Sequence, residues 1–362
     1  MEKLKCPEIR FGGFGGDWDE GTFGSSLAFL QSGKSKERSD FGKFPFYGST
    51  GTIGYSETFD YSGASILVAR VGANAGTLYA VAGNYSVSDN TLIIKLKDGN
   101  EYVFFSNLLE RFNLNKLVFG SGQPLITGGH LKAINVAIPP LQEQIQIGTF
   151  LQNFDQAIAL RERKYTQTQN LKKAMLEKMF PKAGSKQPEI RIKGFGGDWE
   201  EFKLGQIYGF NYGEFNTNPS NGGQYQVYGA NGIIGGYTSY NAESSAVIGH
   251  MGEYAGSVLW AEGKHFVTYN GTIAKPKKSD FNSLFGYFAL VKMNLKKVCG
   301  GSGQPFLSYD ALERLDVLFP TEKEQTAIGQ FFKQLDDTLA LQQQQLQTLK
   351  NLKQAFLGKM FV

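Results

Sequence analysis

A long apolar stripe that occurs twice constrains this chain more than any other feature. No proline interrupts residues 141–180, and with Ile147 at heptad position a the seam reads Ile147, Leu151, Phe154, Ile158, Arg161, Tyr165, Thr168, Lys172, Met175 and Met179. Adding 181 to each number gives Ile328, Phe332, Leu335, Leu339, Gln342, Leu346, Leu349, Lys353, Phe356 and Met360. Both stripes are apolar at their ends and polar in the middle. Such a pattern describes a helix that needs a partner along one seam. The spacing predicts two helices, each on the order of 55 Å long, which is rod length and suited to holding other parts apart.

The rest of the chain repeats with the same offset. Pro7-Glu8-Ile9-Arg10 and Gly13-Phe14-Gly15-Gly16-Asp17-Trp18 return as Pro188-Glu189-Ile190-Arg191 and Gly194-Phe195-Gly196-Gly197-Asp198-Trp199. Tyr47-Gly48 and residues 51–54 match Tyr228-Gly229 and residues 232–235, after which the offset slips to 180 for Gly72, Ala75, Gly76 and Asn90. Ser121-Gly122-Gln123-Pro124 restores 181, as do Pro139, Glu143 and Gln144 at the mouth of the first stripe. A repeat of this length sets the architecture before any residue is interpreted. It predicts a mixed α+β unit at 1–140, a long helix at 141–181, a linker and second unit at 182–320, and a second long helix at 321–362. Residues 65–71 and 91–96 read as strands and 102–112 as a helix; the second unit mirrors them at 246–248, 271–275 and 284–293. Because the chain must travel to its second unit and return, the two helices are expected to pack antiparallel, giving a pseudo-two-fold, coiled-coil-like stalk.

Composition excludes several classes. No apolar run reaches the length of a membrane span and residues 1–7 lack a signal-peptide core, so a cytoplasmic protein without a membrane partner is expected. Cys6 and Cys299 occupy unrelated places in the repeat, and the three histidines have no metal-ligand spacing or triad partner. No catalytic seat is evident. Gly33-Lys34-Ser35 loosely resembles a phosphate-binding loop, but Ala28 replaces the first glycine, Phe29-Leu30-Gln31-Ser32 is too bulky and no convincing strand precedes it; a lysine-rich surface loop is the expectation. The ten Lys or Arg between 161 and 193, against three acids, read as a solvated helix face and linker.

The remaining candidates are glycine loops whose glycines repeat while the side chains between them change. Tyr47-Gly48-Ser49-Thr50-Gly51 and Arg70-Val71-Gly72-Ala73-Asn74-Ala75-Gly76 become Tyr228-Gly229-Ala230-Asn231-Gly232 and His250-Met251-Gly252-Glu253-Tyr254-Ala255-Gly256. Neutral drift on a duplicated scaffold and two binding loops of different specificity both fit this pattern. Arg and Asn suit bidentate readout of guanine and adenine edges, which singles out Arg70 and Asn74. Ser121-Gly122-Gln123-Pro124 is expected to be a turn docking each domain on its helix mouth.

Taken together, the Tyr-Gly-x-x-Gly loop, the Gly-x-x-Ala-Gly loop, the proline with its Glu-Gln pair and the long helix ending in Lys-Met-Phe resemble the specificity subunits of type I restriction-modification systems over nearly the whole chain. That resemblance implies two target-recognition domains, each reading one half of a bipartite DNA site, with antiparallel helices as the spacer and docking surface. It implies no catalysis by this chain, double-stranded DNA and modification subunits as partners, and restriction subunits in systems that carry them. S-adenosylmethionine for adenine methylation, and ATP and magnesium for cleavage, belong by the same resemblance to those partners. The DNA contacts expected on the variable loops are Lys34, Lys36, Tyr47, Ser49, Thr50, Arg70, Asn74, Tyr228, Asn231, His250 and Tyr254. The basic loop of unit one has no counterpart, since Lys34, Lys36, Arg38 and Lys43 align with Phe215, Thr217, Pro219 and Gln224. A duplicated carbohydrate- or protein-binding module stays open beside this reading, although it leaves the paired helices unexplained. An ATP-using enzyme stays open only if Gly33-Lys34-Ser35 binds phosphate.

Overall fold

A computed structural model of the chain describes residues 6–120, 122–215, 218–301 and 303–362. Residues 1–5, Ser121, Asn216, Thr217 and Ser302 lie outside the described residues, among them the first serine of both Ser-Gly-Gln-Pro loops and the counterpart of Lys36. The chain forms two compact units, residues 1–162 with 344–362 and residues 163–343. The division falls inside the long helices.

The first unit contains β1 (Asp19–Thr22), β2 (Leu27–Ser32), β3 (Phe44–Gly48), β4 (Gly51–Ser56), β5 (Tyr61–Ser62), β6 (Ser65–Ala69), β7 (Leu78–Val81), β8 (Asn84–Val87) and β9 (Thr91–Leu96). These are followed by α1 (Tyr102–Phe112), α2 (Gly128–Lys132), β10 (Asn135–Ile138) and the start of α3 (Leu141–Lys178). One sheet has the order β2-β9-β6-β7 and another β4-β3-β8-β5, with β3 and β8 parallel. All five residues of β6 are buried, because Ile66 and Val68 face the main core with Phe104 and Phe105 while Leu67 faces a second, smaller core with Tyr85, Val87 and Ile93. A strand covered on both faces reads as a continuous apolar run rather than an alternating one.

The second unit repeats this plan with β11 (Glu200–Lys203), α4 (Leu204–Ile207), β12 (Tyr208–Tyr212), β13 (Tyr225–Gly229), β14 (Gly232–Tyr237), β15 (Ala242–Gly249), β16 (Val258–Val267) and β17 (Gly271–Pro276). Then come α5 (Ser283–Met293), α6 (Tyr309–Glu313), β18 (Asp316–Phe319) and α7 (Glu322–Lys359). Here one six-stranded sheet, β12-β17-β15-β16-β13-β14, takes the place of two. It is continuous because β16 runs unbroken where the first unit turns at Gly83 between β7 and β8.

The Glu-Gln pair at each helix mouth ties the unit together. Arg10 donates from Nε and Nη2 to the two carboxylate oxygens of Glu143, each at 2.7 Å, and from Nη1 to the Gly16 carbonyl at 2.6 Å. Arg191 grips Glu324 in the same way at 2.8 and 2.7 Å. Gln144 accepts from the Glu101 backbone N–H at 2.9 Å and donates to the Pro139 carbonyl at 2.9 Å; Gln325 does the same with Asn282 and Pro320. Each long helix is thereby fastened to the N-terminal loop and to the start of α1 or α5. Gly148 permits that approach, since a Cβ there would lie 2.5 Å from Glu101 Oε2 and 3.1 Å from the Phe104 nitrogen.

Within each unit the long helices run antiparallel. In the first, Phe150 and Phe154 meet Phe356, Asp155 meets Lys353 at 2.8 Å, and Glu162 meets Lys350 at 2.7 Å. Lys172 pairs with Asp336 and Phe180 with Phe332 in the second. None of the twenty seam positions read from the heptad pattern is exposed. The outer positions Ile147, Leu151, Ile328, Phe332 and Met360 are fully buried because each also enters the core of a globular unit.

Three local expectations need correction. Strand β6 ends at Ala69, and Val71 beyond it makes only an isolated antiparallel bridge to Leu125. A strand, β2, does precede Gly33-Lys34-Ser35, but an extended segment and β3 follow it, so no helix N-terminus is offered to a phosphate. The Gln123-Pro124 part of the repeated loop docks on the neighbouring glycine loop, through Gly72 N–H to the Pro124 carbonyl at 2.9 Å, instead of on the helix mouth.

Leu151→Ala is expected to cost about 2–5 kcal/mol by urea denaturation, whereas Leu160→Ala, on the outer face of the same helix, stays within about 0.5 kcal/mol. Equal losses at the two positions would remove the seam. Gly148→Ala, which in an open helix interior gains up to about 1 kcal/mol, is expected to destabilise this chain; a gain would mean that α1 does not approach α3 so closely.

Candidate nucleic-acid interface

Each glycine loop is held by its own backbone before any side chain is considered. In the first unit Arg70 N–H donates to the Asn90 carbonyl at 2.8 Å, and the Arg70 carbonyl accepts from Ile126 at 2.9 Å. Gly72 and Gly76 adopt φ of +83° and +90°, and Gly76 N–H closes back on the Ala69 carbonyl at 2.8 Å. Glycine enters this left-handed region without steric cost. The second unit reproduces the pattern bond for bond: His250 to Asn270 at 3.3 Å, Leu307 to His250 at 2.8 Å, and Gly256 to Gly249 at 2.8 Å. Residues 70 and 250, and residues 74 and 254, therefore occupy equivalent places on one rigid frame.

Beside this loop the structure sets the turn of the β3–β4 hairpin. Tyr79 Oη donates to the Ser49 carbonyl at 3.1 Å, and in the second unit Ser257 Oγ donates to the Ala230 carbonyl at 2.7 Å. Exposed Thr50 and Asn74 thus share one neighbourhood, as do Asn231 and Tyr254 in the other unit. Arg70 is half-buried and donates from Nη1 to Ser32 Oγ at 3.0 Å, which aims its guanidinium. Lys34, Lys36 and Ser49 line a single cleft of about 1040 Å³ together with Arg38, Ser88, Asp89 and Asn90. Its floor is fixed by Ser35, whose Oγ pairs with Asp60 and accepts from Val87 N–H at 3.0 Å. Three cations, Lys34, Lys36 and Arg38, thus stand around a concave surface whose lining holds one carboxylate, Asp89.

Tyr47 and Tyr228 are placed differently from the other candidates. Both turn inward to the small second core, Tyr47 against Tyr85 at 5.9 Å and Tyr228 buried with Val247 and Val267. Tyr228 Oη is satisfied by Gln226 at 3.0 Å, and burial raises the Tyr228 phenol above its ordinary value. Tyr228 therefore anchors its hairpin from within a core, while Tyr47 packs on its core and stays partly exposed. His250 is also buried, within a cluster formed by Tyr212, Tyr269 and Phe306. Arg38, placed by the sequence in the basic loop but not among the expected DNA contacts, lines the cleft, and the exposed rings of Tyr269 and Phe306 were not among the candidates at all.

A family model described as the type I restriction modification DNA specificity domain matches residues 30–170 and 196–351. The chain is 24% identical over 335 residues to the MjaVIII type I restriction enzyme specificity subunit of Methanocaldococcus jannaschii, covering 81% of this chain and 77% of that one. It is 26% identical over 112 residues to the EcoprrI specificity subunit of Escherichia coli, covering 31% and 28% respectively. The crystal structure of a type I restriction-modification S subunit from M. genitalium shares the fold, with a TM-score of 0.78 at 19% identity and 99% of both chains covered. A chain from a structural study of complex assembly in the type I system aligns at a TM-score of 0.52 and 16% identity, over 95% of this chain and 97% of that one.

Tyr228→Ala is expected to cost about 3–5 kcal/mol, as for other large buried rings, while Asn231→Ala at the hairpin tip stays within about 0.5 kcal/mol. Thermal unfolding of both variants checks the division between anchor and tip. A stable Tyr228→Ala variant would return that ring to the set of ligand contacts.

Proposed function

Because the chain belongs to the type I restriction-modification DNA specificity family, and is a noncatalytic specificity subunit, we propose that its two units read the two halves of one split DNA site with different base preferences. The observation that carries this reading is the identical backbone frame bearing Arg70 and Asn74 in one unit and His250 and Tyr254 in the other. Arg70, aimed by Ser32, has the fork geometry that recognises guanine O6 and N7, and Asn74 at the exposed tip suits adenine N6 and N7. Thr50 and Asn231 supply further polar contacts at the hairpin tips. Lys34 and Lys36, with Arg38, neutralise phosphates beside the first half-site only.

The paired helices set the number of unread base pairs between the halves, and with their mouths they offer the surface on which modification subunits assemble. Those subunits bring S-adenosylmethionine and transfer the methyl group; restriction subunits, where a system has them, bring ATP and magnesium. The extended chain after Gly33-Lys34-Ser35 argues against a nucleotide site in this chain. The whole assembly acts in the cytoplasm, where its DNA lies.

Mapping of methylated sites in host DNA tests the reading: two dissimilar half-sites at a fixed gap are expected. Arg70→Ala or Asn74→Ala should cost about 1–3 kcal/mol and relax specificity at one base pair of one half-site. Lys34→Ala and Lys36→Ala should weaken binding to every sequence and flatten its salt dependence by about one phosphate contact each. Unchanged sites and rates in the Arg70 and Asn74 variants would move base reading to other loops.

A further inference from the structure

Two histidines of the second unit are equally buried, at 1% exposure, yet their surroundings differ. His265 has both ring nitrogens served, with Nδ1 2.8 Å from the Gly263 carbonyl and Nε2 3.0 Å from Ser245 Oγ. Neither ring nitrogen of His250 has a partner in good hydrogen-bond geometry, the Asn270 backbone being the nearest influence on it. Buried polar groups are nearly always paired, so such an exception calls for a reason.

The walls around His250 are aromatic. Tyr212 lies against its ring at 4.3 Å and is itself stacked on Tyr309 at 4.2 Å, while Tyr269 and Phe306 stand edge-on at 5.3 and 5.9 Å. The outer two are far from sequestered: Tyr269 is 44% and Phe306 40% exposed. The backbone at 250 is pinned on both sides by Asn270 and Leu307, so the histidine stays in place beneath two rings that solvent reaches. In the first unit the matching place holds half-exposed Arg70, and the counterparts of Tyr212, Tyr269, Phe306 and Tyr309 are Ser32, Asp89, Leu125 and Gly128. The same backbone position is thus open and cationic in one unit and roofed with rings in the other.

We propose that His250 is a covered specificity-determining residue of the second unit, shielded by Tyr269 and Phe306 until duplex DNA displaces them and exposes its ring to a base edge in the major groove. This rests on the DNA-reading function proposed above and names a residue and a step within it. A neutral imidazole carries one N–H donor and one bare acceptor, enough to meet a purine N7 or an exocyclic amino group. While the ring is covered, burial holds it below the usual histidine range, the Asn270 backbone opposing this in part. Displaced rings are not lost to the complex, since aromatic faces and thymine methyl groups make apolar contacts with each other.

The test is sequence selection from random duplexes by the full chain, assembled with the subunits that co-purify with it, alongside its His250→Gln and His250→Ala variants. The expected result is a loss of preference of about ten- to a hundred-fold at base pairs of one half-site, with the other half-site and non-specific binding retained. Selection of the parent sequence at parent affinity by both variants overturns the proposal and leaves DNA reading intact; failure of the parent to select any sequence sinks the function on which it rests. Should the His250 variants not fold, Tyr269→Ala decides: modification of His250 by diethyl pyrocarbonate, slow in the parent, is expected to quicken several-fold, and an unchanged rate overturns the cover.

Discussion

A carboxylate taken out of water must be matched by a cation or lose its charge, and Glu143 and Glu324, with side chains 0% and 2% exposed, are matched by Arg10 and Arg191 through two bonds each. The rest of each unit depends on this match. The arginine also holds the glycine-rich N-terminal loop, and the adjoining glutamine spans from the proline carbonyl to the backbone at the start of α1 or α5. Glu143 and Glu324 hold their arginines above the ordinary guanidinium range. Removing one partner would leave a charge without compensation, the situation in which a buried pair matters most. A long helix fastened at its first turn in this way has a defined exit direction from its own unit.

The seam between the helices uses polarity for a different end. Lys353 is nearly buried between Asp155 and Glu110, and Lys172, at the equivalent step of the repeat, pairs with Asp336. Burial alone would lower the Lys353 ammonium, but Asp155 and Glu110 outweigh it and hold it above its ordinary value. Apolar residues at such positions would be at least as stable, yet they would tolerate a slip along the seam; a lysine that must meet an aspartate does not.

The variable loops are separated from this framework by the kind of bond that holds them. The loops at 70–77 and 250–257 are closed by backbone hydrogen bonds and left-handed glycines, none of which depends on the intervening side chains. Arg70 can therefore become His250, and Asn74 become Tyr254, without a change of loop shape. The hairpin beside each loop is anchored by a tyrosine whose identity is retained because its ring fills a core. Divergence is confined to positions where the backbone does not need the side chain.

Helical period is a local property, so the sequence by itself determined both long helices and the shielding of the twenty seam positions, and an offset near 181 determined that the two units share one plan; the burial of Leu357, off that seam, came from the globular core. Residues 65–71 likewise read as a strand, but that both faces of β6 are covered was decided by the tertiary structure. Only the tertiary structure decided which candidate side chains point outward. Tyr228 and Tyr254 are both tyrosines close to loop glycines, but one is buried in a core and the other exposed at a loop tip, and that difference comes from strands distant in sequence. The covered state of His250 was equally hidden, because its walls come from residues 212, 269, 306 and 309, which no local pattern connects. The Arg10–Glu143 pair spans 133 residues: its two members were visible as repeated letters, but their contact exists only once burial has removed the water that would otherwise separate them.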